Sequence, residues 1–185
     1  MRILHEAFNL ERYPEHKEFD ELLGEMQEES VNNGGCFHFN LLNSFGGNNL
    51  EEKVFNILSR NPTYTDPYYL DSSTNERRYY QNRDLDYLSF SPIKDLKNEI
   101  IVKAEYWATF SGPCPERTTI SDKFHTLKFI VADKIFDFLN GKDIIDAKQI
   151  DGIDTFYSFG FDHMNDDIIV DTKSGLYIIH FGFSS

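Results

Sequence analysis

The sequence predicts an α+β fold: a mostly antiparallel sheet with two N-terminal helices and one short later helix, in a single domain. Three observations carry that expectation. Two helical stretches fall in roughly the first third of the 185 residues, and strand-like runs with one short helical segment crowd the remainder. The stretch Asp167 to Phe181 reads as a hairpin. Helices and strands do not alternate regularly, which argues against a doubly wound parallel sheet. A hydrophobic content of 40%, with 15% aromatic, places the chain among globular rather than disordered sequences. The expected layout is a helical part over 1–60, a Tyr/Arg-rich loop over 61–84 and a mainly β part over 85–185, with six to eight strands.

Arg2 to Phe8 is a short strand or the lead-in to a helix. The first helix is expected over Glu15 to Glu29. Pro14 suits its start, and Phe19, Leu22, Leu23 and Met26 fall at i, i+3, i+4 and i+7 to make one apolar stripe. Gly-rich turns then flank a strand candidate, Cys36 to Leu42. Asn49 caps a second helix, Leu50 to Ser59, with Glu52 completing a capping box. Leu50, Val54, Ile57 and Leu58 form its buried stripe.

Asn61 to Arg83 is expected to be irregular. It carries five tyrosines, two prolines and the cluster Arg77, Arg78 and Arg83. Leu85 to Ile93 reads as a strand, and Glu99 to Phe110 as a longer one. In that strand Ile100, Val102, Ala104, Tyr106, Ala108 and Phe110 would share a face. Ser111 to Asp122 is a loop. Thr126 to Val131 reads as β, followed by a short helix Lys134 to Leu139 capped by Asp133 and stopped at Asn140-Gly141; one continuous helix from His125 is the alternative. Asp143 to Ile153 is a strand between turns.

The C-terminal hairpin joins Asp167–Asp171 to Leu176–Phe181 through Thr172-Lys-Ser-Gly175, with Gly expected at a position of positive φ. Leu176, Ile178 and His180 share one face of the second strand, and Tyr177, Ile179 and Phe181 the other. Both faces are largely apolar, so this strand belongs inside the sheet.

The net charge of −13 is unevenly spread. Met1 to Val31 carries nine acids against three bases, and Gly141 to Asp171 carries eight, all Asp, against two. Two acidic blocks of this kind repel nucleic acid and anionic membrane and attract a basic protein. The N-terminus resembles no signal peptide, and no window approaches a membrane span. Cys36 and Cys114 lie far apart without a CxxC spacing, as free thiols in a reducing compartment would. A cytoplasmic chain is the expectation.

Motifs that carry chemistry are wanting. The glycines near Gly46 lack the Lys-Ser/Thr of a phosphate-binding loop. Asp162-His-Met-Asn-Asp-Asp167 has neither the spacing nor the terminal Glu of a calcium loop, and too few His or Cys for zinc. Cys36 and His38 could face the same way on a strand, but no acid nearby orients them. No catalytic residue, cofactor or metal is therefore expected.

Two functional expectations remain. The first is an acidic cytosolic inhibitor of the immunity or antitoxin kind, neutralising a basic, nuclease-like toxin, with no nucleic acid or membrane partner. Its contact residues would be Asp151, Asp154, Asp162, Asp166, Asp167 and Asp171, together with Tyr68, Tyr69, Arg77, Arg78, Tyr79 and Tyr80, since Tyr and Arg dominate binding hot spots. The second is a small-ligand binder or enzyme whose site is assembled from dispersed residues around the Tyr/Arg loop and the Cys36/His38 strand.

Overall fold

A computed structural model describes residues 17–30, 35–60, 68–70, 77–79, 88–110, 119–151 and 164–183. Among them are four helices, α1 (Lys17–Glu28), α2 (Leu50–Arg60), α3 (Leu96–Thr109) and α4 (Asp122–Asn140). Seven strands accompany them: β1 (Gly35–Leu42), β2 (Tyr68–Leu70), β3 (Arg77–Tyr79), β4 (Ser89–Pro92), β5 (Ile144–Asp151), β6 (Met164–Thr172) and β7 (Gly175–Phe183). Five strands form one antiparallel sheet in the order β1-β7-β6-β5-β4, and β2 pairs with β3 in a separate ladder. The α+β class with a mostly antiparallel sheet is as the sequence predicts. The stretches 2–8 and 111–118, with Cys114, lie outside the described residues.

Strand β7 lies between β1 and β6, and its two apolar faces explain why. Tyr177, Ile179 and Phe181 join Phe37, Phe39 and Leu41 of β1 and Ile168 and Val170 of β6 beneath α1, α3 and α4. Leu176 and Ile178 join Leu42, Ile169 and Ile150 on the opposite face, beneath Leu50, Val54 and Ile57 of α2. Each fully buried side chain of this size contributes about 1.5–3 kcal/mol. On the three-helix face, Phe39 stacks on Tyr177 at 5.7 Å, and Phe19 and Phe138 meet Phe39 edge-on at 4.9 and 5.7 Å. That aromatic group ties α1, α4, β1 and β7 together.

The β6–β7 turn forms where expected, by a different device. Gly175 does not have positive φ. The Thr172 hydroxyl accepts from the backbone N–H of Ser174 and Gly175 at 3.2 and 3.1 Å, holding the two-residue connection. Glycine is required at 175 because a Cβ there would lie 2.7 Å from Leu41 Cδ1. At the start of α2, Asn49 Oδ1 accepts from the Glu52 N–H at 2.9 Å as a cap should, while Glu52 reaches back one residue further, to the Asn48 N–H at 2.8 Å.

Two segments depart from expectation. Glu99 to Phe110 is not a strand: it belongs to α3, capped by Asp95, whose side chain accepts from the Asn98 N–H at 3.0 Å. Its β-branched and aromatic residues satisfy a twofold pattern and a helical one equally well. Packing selects the helical one, burying Leu96, Ile100, Ala104, Trp107 and Ala108 and leaving Val102 and Tyr106 in solvent. Thr126 to Val131 is likewise helical. It lies in α4, a 19-residue helix capped by Ser121, so the continuous-helix alternative holds and Asp133 sits mid-helix. The one short later helix is thus two long ones. Gly141 ends α4, and the left-handed residue that follows is Asp143, with φ 59°.

Helical packing of α3 is testable. Ile100→Ala should lower stability in urea denaturation by about 2–5 kcal/mol, and Val102→Ala should change it by less than about 0.5 kcal/mol. As a strand, the segment would place both side chains on one buried face, and equal losses would contradict the helix.

Candidate functional site

Three of the six C-terminal acids expected to meet a partner, Asp166, Asp167 and Asp171, are engaged within the fold. Asp167 and Asp171 are 1% and 5% exposed. This corrects their assignment as contact residues: alternation on β6 turns both toward the α2-covered face, where internal partners hold them. Lys53 Nζ of α2 lies 2.5 Å from Asp171 Oδ2. Asp167 Oδ1 accepts from His180 Nδ1 at 2.7 Å, and its other oxygen accepts from Asn165 Nδ2 at 2.6 Å. Asp166 points to the three-helix face. It accepts from Trp107 Nε1 at 2.8 Å and pairs with Lys103 at 3.2 Å, joining β6 to α3. Asp151 is exposed at the end of β5, accepting from the Gln149 side chain at 2.8 Å.

The remaining expected contact residues are less informative. Tyr68 and Tyr69 lie on β2, and Arg77, Arg78 and Tyr79 on β3, in the register Tyr68↔Tyr79 and Tyr69↔Arg78. The stretch expected to be wholly irregular therefore contains an antiparallel ladder. Asp154, Asp162 and Tyr80 lie outside the described residues.

A polar row crosses the α2-covered face. His38 of β1 is in register with His180 of β7, which is in register with Asp167 of β6, and the two imidazole centroids are 6.0 Å apart. With an ionised Asp167, which can only accept, the bond takes the tautomer that carries its proton on His180 Nδ1. This is how a general base is oriented. His180 is nevertheless 1% exposed, which withholds the pair from solvent. The pair joins β6 to β7 beside the apolar cluster of Leu42, Ile150, Ile169, Leu176 and Ile178. Among the described residues, no group of three or more His, Cys, Asp or Glu could hold a metal ion.

A denser run of exposed acids lies on α1. Among the described residues, Lys53, Lys97, Lys103, Lys123, Lys128, Lys148 and Lys173 are drawn into ion pairs. Against that, α1 holds five acids with only Lys17 among its own residues. Phe19, Leu23 and Met26 are buried, which turns Glu18, Glu21, Glu25 and Glu28 to the other side of the helix as a stripe. Lys123 at the start of α4 reaches Glu25 at 2.6 Å and Glu29 at 3.4 Å, and these carboxylates hold its ammonium above the ordinary lysine range. The N-terminus of α4 thus abuts α1 through Lys123.

A hydrogen bond from Lys148, aided by a backbone bond, holds the Glu51 carboxyl below its ordinary range. It clamps the first turn of α2 to β5.

No protein-family model matches the chain, and neither does any curated protein or solved structure. No helix among the described residues is long and apolar enough to cross a membrane.

Two outcomes test the internal pairs. His180→Leu alone should cost about 3–5 kcal/mol in chemical denaturation, because it strands the Asp167 carboxylate in the core. Adding Asp167→Leu should recover part of that loss; a double-mutant cycle without coupling would show that the pair contributes nothing. Glu51→Gln tests the clamp by pH. The folded carboxyl titrates lower than the unfolded one, so its contribution is present at neutral pH and disappears as pH falls through the lowered value. The stability gap to wild type, about 1 kcal/mol or less for a partly exposed pair, should be full at neutral pH and close in acid.

Proposed function

We propose that this chain is an acidic protein-binding inhibitor of the immunity or antitoxin kind, and that it recognises a basic, nuclease-like protein through the outer face of α1. One observation carries the reading. The glutamates of α1 form a stripe on the outer side of a helix with one lysine, Glu25 among them reaching Lys123 of α4, whereas Asp167 and Asp171 are buried in the sheet. A stripe of like charge on an exposed helix face accelerates encounter with a cationic surface and discriminates against anionic ones. The contact surface therefore moves from the C-terminal acidic block to the N-terminal one.

The experiment is affinity capture from an extract of the source organism, at low and high salt, with wild type and with the fourfold variant Glu18→Gln, Glu21→Gln, Glu25→Gln, Glu28→Gln. A single basic protein should be retained by wild type at low salt and released at high salt. The association rate with that protein should fall on the order of tenfold in the variant, and its activity should be inhibited by wild type. Retention of nothing, or of the same protein equally by both forms, would overturn the reading.

A further inference from the structure

We draw no further inference here: the strongest candidate, the side-chain cluster of His38, His180 and Asp167 on the α2-covered face of the sheet, belongs to the site already described, and among the described residues nothing shows a ligand or partner that would reach it.

Discussion

The architecture depends on one strand that has no polar face to offer water. Burying β7 on both sides requires a layer over each face of the sheet, and two neighbours to satisfy its backbone. The helices meet the first demand unequally, three on the Tyr177 side and α2 alone on the Leu176 side. Strands β1 and β6 meet the second along the full length of β7. The thinner side is where the polar groups gather: the His180–Asp167 pair and the two lysine clamps, Lys53–Asp171 and Lys148–Glu51. A single helix covers less area than three, and directed hydrogen bonds supply register there that packing supplies on the other face.

Much of the fold was legible wherever only one period fitted the residues. Helix α2, with an Asn cap and apolar residues at helical spacing, could be nothing else, and the same holds for the β6–β7 hairpin. Segments rich in β-branched and aromatic residues were ambiguous. In α3 the alternation from Ile100 to Ala108 looked like a strand, because Val102 and Tyr106 fall into step with truly buried neighbours. Tertiary burial of Ala104 and Ala108, small enough to let helices approach, decided the matter. Tyr106, which the alternation placed on one strand face with Ile100 and Ala104, stands in solvent while they are buried. The informative signal was Asp95 followed by Asn98, a cap that precedes the ambiguous run.

The acidic residues show how far charge can be read without geometry. The two blocks looked equivalent by count, yet they are put to different uses. Alternation on β6 sends Asp167 and Asp171 inward to a histidine and a lysine, and Asp166 to a tryptophan on the other face. Helical periodicity on α1 sends Glu18, Glu21, Glu25 and Glu28 outward together. A strand divides neighbouring acids between two layers, whereas a helix collects them on one side. Similar charge density in the sequence therefore became internal wiring at the β6 acids and an exposed acidic face on α1.

The place of β7 in the chain also bears on how the molecule is made. It follows every other described element in the sequence, yet cores on both sides of the sheet await it. Its partnership with β6 is local and can close through a two-residue turn, while its partnership with β1 spans most of the chain and must overcome the corresponding loop entropy. During synthesis, the apolar stripes of α1, α2, α3 and α4 leave the ribosome before the strand that would cover them exists. The nascent chain is thus committed to a period in which those stripes are protected by chaperones, or by one another, until the last hairpin arrives.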